Sequence, residues 1–157
     1  MKLAFMADIH GNSIALDAVL ADIESQGGVD GYWIVGDLAA IGSDPVGVLE
    51  RLTALENTTI TRGNTDRYVY SGQRPPPYRH EVLENIELLD VYVEIESGFS
   101  WTQGHLTPGG WVEWLEKLPL EARLTLPDGT RLLAVHAAPG TDSEFGFEQG
   151  TDPELAK

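Results

Sequence analysis

Asp8, His10, Asp37, Asn64 and His136 each stand just past a short apolar or β-branched run. Residues 3–7 lead into Asp8-Ile9-His10, 32–35 into Gly36-Asp37, 58–61 into Arg62-Gly63-Asn64-Thr65-Asp66, and 132–135 into His136. If these runs are neighbouring strands of one sheet, their ends converge, and carboxylate, imidazole and amide ligands meet at one edge. Such a mixed nitrogen and oxygen set, without sulfur, suits manganese first, with iron, zinc, nickel or magnesium as alternatives, and fits calcium less well. The spacing of Asp8 and His10 places both side chains on one side of an extended segment. Asp37 follows Gly36, which permits a tight turn, and its two carboxylate oxygens could bridge two cations. A pair of divalent cations roughly 3.5–4 Å apart would neutralise a phosphate ester, activate a water and stabilise an in-line transition state.

Arg62 and Arg67 flank the third loop, where a guanidinium could hold a phosphate oxygen; pairing with acids is the competing reading. The start of the helix after His10 adds a dipole that favours an anion. Taken singly, Asp8, Asp37 and Asn64 read as turn or cap residues, and His136 as a satisfied buried histidine. Their common position at strand ends carries the argument.

Elements that could position these residues follow from periodicity. Residues 2–7, 31–35 and 58–61 read as buried strands. Between them, Leu16, Val19, Leu20 and Ile23 form one helical stripe after Asn12-Ser13, and Val48, Leu49, Leu52 and Leu55 form another after Asp44-Pro45. Two consecutive βαβ units imply a parallel, layered α/β sheet with sites at the carboxyl ends of its strands. Beyond Tyr70 the proline-rich segment 73–78 reads as a loop, 80–90 as a helix, 98–105 as irregular and 110–117 as a helix. Pro127-Asp128-Gly129-Thr130 marks a hairpin between 121–126 and 131–136. Thr151-Asp152-Pro153-Glu154-Leu155 has the signature of a helix start, which predicts a longer protein.

The 157 residues suffice for one domain with a core. The absence of cysteine removes disulfides, zinc fingers, iron–sulfur clusters and a thiol nucleophile, and leads us to expect a cytoplasmic setting. No stretch has the length of a membrane span, so no membrane partner is expected. A net charge of −15 argues against binding duplex nucleic acid, and a small phosphorylated substrate would need metals and local arginines to reverse the field. Self-association is left open.

The segments Asp8-Ile9-His10-Gly11-Asn12, Gly36-Asp37, Gly63-Asn64-Thr65-Asp66 and Val135-His136, in this order, resemble the motifs of the calcineurin-like metallophosphoesterases, and more closely a small prokaryotic phosphodiesterase-like branch. The resemblance implies a layered α/β sheet sandwich flanked by helices, here a single domain over 1–157 with a helical and loop cap at 68–118 and its C-terminal part missing. It implies that Asp8 and His10 hold one metal, Asp37 bridges, and Asn64 and His136 hold the second. Catalysis would then rest on Asp37, Asn64 and Arg62, and substrate contact on Arg62, Arg67 and Thr65. Two departures stand out. Thr65 occupies the position where the family often has a proton-donating histidine, and no late Gly-His-x-His follows His136; Gly104-His105 lies too early and lacks the second histidine. The expected activity is hydrolysis of phosphodiesters or nucleotides, with binding without turnover as the alternative. Dinucleoside polyphosphates or phosphoproteins are further substrate options. Phe99, Tyr68, Trp101, Trp111 and Trp114 could form an aromatic wall for a nucleobase, against core packing as the simpler reading.

Overall fold

A computed structural model describes residues 1–126 and 128–143. The helix start read at 151–155, and Pro127 of the hairpin turn, lie outside the described residues.

Three strands, β1 (Leu3–Met6), β2 (Gly31–Val35) and β3 (Thr58–Thr61), form a parallel sheet in the order β1-β2-β3. Helices α1 (Ser13–Ser25) and α2 (Pro45–Ala54) make the two crossovers. Asn12 caps α1 by accepting the Ala15 N–H, and Asp44 caps α2 by accepting that of Gly47, with Pro45 following it. Caps of this type stabilise a helix by about 1 kcal/mol each.

The core lies where α2 meets β2. Val48, Leu49, Leu52, Ile34 and Leu38 are fully buried, and Leu16 joins them from α1. Each large side chain so buried stabilises the fold by roughly 1.5–3 kcal/mol. The first strand departs from expectation. Among the described residues β1 is an edge strand, and Phe5 on it is 58% exposed, with Val19 on α1 exposed to a lesser degree.

Residues 64–116 are largely helical: α3 (Asn64–Ser71), α4 (Arg79–Glu84), α5 (Leu89–Leu106) and α6 (Trp111–Glu116). The helix expected over 80–90 is broken at Asn85. The Asn85 side chain accepts the Glu87 N–H and starts a separate 3-10 turn, which leaves Leu83 and Ile86 exposed. Segment 98–105, expected to be irregular, lies within α5. Gly98 and Gly104 lower the helix propensity of that segment. Burial of Phe99, Thr102 and Leu106 on one face, and a bond from Gln103 Nε2 to the Val69 carbonyl (2.9 Å), override that local tendency. Among the described residues no helix is long and apolar enough to cross a membrane.

The last two strands correct the single-sheet premise. β4 (Glu121–Thr125) and β5 (Arg131–Val135) pair antiparallel in a sheet of their own. His136 nevertheless reaches the ends of the parallel strands, because its ring Nδ1 lies 3.0 Å from the Val35 carbonyl at the end of β2.

Candidate metal centre

Two loops are laced together at the carboxyl end of the parallel sheet. Asp8 N–H donates to the Gly36 carbonyl (3.2 Å), His10 N–H to Asp37 (2.9 Å) and Gly11 N–H to Leu38 (2.9 Å). Asp8, His10 and Asp37 all have positive φ, at 55°, 49° and 56°. The extended geometry expected for Asp8 and His10 is therefore not the one observed. Their side chains meet because both residues adopt the left-handed conformation, which Asp and His tolerate better than most non-glycine residues.

Asp8, His10 and Asp37 each offer a ligand atom within 4.8 Å of the others. His10 Nε2 lies 3.9 Å from Asp8 Oδ1 and 3.6 Å from Asp37 Oδ2. On the other side of the same carboxylate, His136 Nε2 lies 3.4 Å from Asp37 Oδ1 and 3.0 Å from Asn64 Oδ1. The two Asp37 oxygens thus face different histidines. Asp37 is buried, whereas Asp8 is exposed.

Both imidazoles are oriented by main-chain carbonyls. His10 Nδ1 is 3.2 Å from the Ala40 carbonyl, and His136 Nδ1 is 3.0 Å from that of Val35. A carbonyl only accepts, so in the neutral ring the proton sits on Nδ1 and Nε2 carries a lone pair. At His136, that lone pair then shares one small space with oxygens of Asp37 and Asn64. Three acceptors facing one another repel; a cation between them converts the repulsion into coordination. The donor set therefore fits a divalent metal, and its outer contacts follow the usual pattern for metal-binding histidines.

Asp66 holds this arrangement in place. Its carboxylate is fully buried and accepts the backbone N–H groups of Asp37 (2.9 Å), Leu38 (3.0 Å) and Gly63 (2.9 Å). Burial pushes its pKa up to about 6; the three hydrogen bonds oppose that rise and the neighbouring Asp37 charge adds to it. Asp37 Oδ1 also accepts the Thr65 N–H (3.0 Å) at the start of α3. Two glycines permit the packing. A Cβ on Gly63 would lie 2.1 Å from Asp37 Oδ1, and one on Gly36 would lie 2.6 Å from His136 Nδ1.

Arg62 and Arg67 converge on a residue that sequence reasoning did not single out. Arg62 Nε lies 3.2 Å from Asp142 Oδ2, and Arg67 Nε lies 2.9 Å from Asp142 Oδ1. Arg67 is further engaged by Gln73 and Ser143. Burial of Asp142 would raise its pKa, but bonds from Ser143 and Arg67 and the charges of both arginines outweigh it and hold the carboxyl below its ordinary range. Asp142 follows Pro-Gly-Thr in an irregular stretch, and nothing in that pattern marks it. The Thr65 hydroxyl is buried without a hydrogen-bond partner among the described residues.

The aromatic residues separate. Trp111 and Trp114 meet each other edge-to-face and pack against the core, and Trp101 lies in tilted contact with exposed His105 near the end of α5. Tyr68 and Phe99, by contrast, line a cavity that also touches Asn64 and Thr65.

Comparison with known proteins bears on the family and the fold. The chain is similar to a metallophosphoesterase from Sphaerobacter thermophilus, at 26% identity and a TM-score of 0.55, over 78% of this chain and 43% of that one. It shares a fold with the hypothetical protein PH1004 from Pyrococcus horikoshii OT3, at 19% identity and a TM-score of 0.67, over 90% of this chain and 56% of the other. It thus spans about half the length of these solved structures. No curated protein matches it significantly. The sequence model of the calcineurin-like phosphoesterases matches residues 1–153. With that match over nearly its whole length, the chain belongs to the calcineurin-like phosphoesterase family.

Proposed function

We propose that this protein hydrolyses phosphate esters, with phosphodiesters or nucleotide-like monoesters as substrates, at a centre for two divalent cations. The observation that carries the reading is the division of Asp37, one carboxylate oxygen toward His10 and the other toward His136. In this reading Asp8 and His10 hold one ion, Asn64 and His136 hold the other, and Asp37 is shared. Manganese is the first choice of metal, with iron, zinc, nickel or magnesium as alternatives. When bound, the ions would supply Lewis acidity and an activated water. The chain's own part is to fix the ligand loops through Asp66, orient both imidazoles through carbonyls at Nδ1 so that Nε2 faces the centre, and present a guanidinium. Arg62 is the stronger candidate for the phosphate contact, since Arg67 also binds Gln73 and Ser143. The Thr65 hydroxyl is enclosed, so the residue's part is its backbone N–H, which Asp37 Oδ1 accepts (3.0 Å).

The alternative is binding of metal or nucleotide without turnover. The two are separated by assaying manganese-dependent cleavage of an aryl phosphodiester. Hydrolysis is expected, and Asp37→Asn should lower its rate at least ~100-fold, since both charge and bridging are reduced. Near-normal turnover in Asp37→Asn would remove the mechanism, and metal binding with no turnover by the unaltered protein would favour the second reading.

A further inference from the structure

We propose that the cavity beside Asn64 seats the alcohol part of the substrate, and that it is built for an uncharged aromatic ring such as a nucleobase. The inference rests on the phosphoesterase reading and specifies its substrate class. The cavity holds about 420 Å³, within the usual size for a small-molecule site. Asn64 belongs to both the cavity and the metal centre, so a group attached to a phosphate at the centre would extend into it.

Its walls are apolar and fixed. Tyr68 and Phe99 meet edge-to-face at 5.6 Å and 87°. Arg67 stacks 4.9 Å from the Tyr68 ring and Arg74 5.1 Å from that of Phe99. Arg74 is itself held by Glu96 (3.0 Å) and the Tyr68 carbonyl (2.9 Å). Two aromatic rings immobilised in this way form a preorganised surface for a third.

Ile41 supplies the independent observation. It lines the same cavity, yet its side chain is 70% exposed and its backbone has φ +82°. A β-branched residue in the left-handed region is a genuine outlier, and such strain persists where the surroundings enforce it, often at ligand clamps. A large exposed apolar side chain held there gains its contact when a ring lies between it and the aromatic pair.

Polar groups refine the choice. Among the described residues, Glu94 is the only charged one lining the cavity. Its carboxylate repels a second phosphate and accepts a hydrogen bond from an amino or hydroxyl group on a ring. Esters of nucleosides or aryl alcohols fit these features; polyphosphate chains do not.

Gly98 makes the test clean. It lies within α5 on the cavity wall, and a Cβ there would meet nothing within 4 Å. Gly98→Leu therefore adds a side chain at the cavity wall from a position that is not itself a candidate metal ligand. Gly104→Leu, equally unobstructed on the same helix but away from the cavity, is the control. Saturation-transfer NMR with adenosine on the metal-free protein should show ring contact in the unaltered protein and in Gly104→Leu. That contact should fall at least about tenfold in Gly98→Leu and weaken in Ile41→Ser. For the manganese-loaded protein cleaving an aryl phosphodiester, Gly98→Leu should raise KM at least about tenfold with little change in kcat. Absence of adenosine contact in the unaltered protein, or equal contact in Gly98→Leu and Gly104→Leu, overturns the proposal even if the diester is cleaved. Contact that depends on Gly98, with no cleavage under any divalent metal, supports the cavity and removes the phosphoesterase reading.

Discussion

Replacing Asp66 tests whether one buried carboxylate organises the ligand loops. The side chain accepts three main-chain donors, from Asp37 and Gly63 on Oδ2 and from Leu38 on Oδ1. Asp66→Ala orphans all three N–H groups in a buried place, and each unsatisfied donor costs about 1–3 kcal/mol. Allowing for water entry at the low end of that range, the loss is on the order of 3–5 kcal/mol, a large share of a typical domain's stability. Asp66→Asn is milder. Its single oxygen can serve Asp37 and Gly63, while its NH₂ confronts the Leu38 N–H, so one bond is lost for roughly 1–3 kcal/mol. Removing a buried charge offsets part of that cost. With urea slopes of about 1–3 kcal/mol/M for small proteins, the Asn variant should shift the unfolding midpoint by about 1 M and the Ala variant by at least twice as much. Hydrogen exchange at the Asp37, Leu38 and Gly63 amides should accelerate ahead of that in α2. Midpoints within about 0.3 M of the unaltered protein in both variants, with the three amides still protected, would refute the reasoning.

Other expectations follow from the same geometry. Gly63→Ala should displace the Asp37 carboxylate, since its Cβ would lie 2.1 Å from Oδ1 and 2.4 Å from the Asp37 nitrogen. Manganese affinity by calorimetry should fall about 10–100-fold, as when outer contacts of a metal site are lost, while Gly104→Ala leaves it unchanged. The native Asp142 carboxyl is held below its ordinary value of 3.8, so its contribution to stability is full above that value and is lost as pH falls through the lowered native pKa. Asp142→Asn should therefore unfold earlier than the unaltered protein at pH 7, with the gap closing below about pH 4 in thermal melts. A gap that persists unchanged at pH 2 would contradict the ion-pair account.

Much of the architecture was legible because local and global signals agree over residues 1–61. Helical stripes, the Asn12 and Asp44 caps and the β-branched runs all specify alternating βαβ units. The edge position of β1 was not legible, because an edge strand can still read as a continuous apolar run. Segment 98–105 misled because Gly98 and Gly104 lower its helix propensity, whereas burial of Phe99, Thr102 and Leu106 decides for helix. The candidate ligands could be named from strand ends, but not the backbone that aims them. Left-handed φ at Asp8, His10 and Asp37 comes from the lacing of two loops distant in sequence. Contacts of the same long-range kind bring Asp142 to Arg62 and Arg67, and Asp66 to Leu38.

The central claim is that Asp37 is shared by two cations. Manganese titration followed by calorimetry and electron paramagnetic resonance tests it without reliance on turnover. The account predicts two ions per chain with the spectrum of an exchange-coupled pair, and loss of that coupling in Asp37→Asn. A single uncoupled ion, no ion, or a coupled pair that survives Asp37→Asn would contradict it.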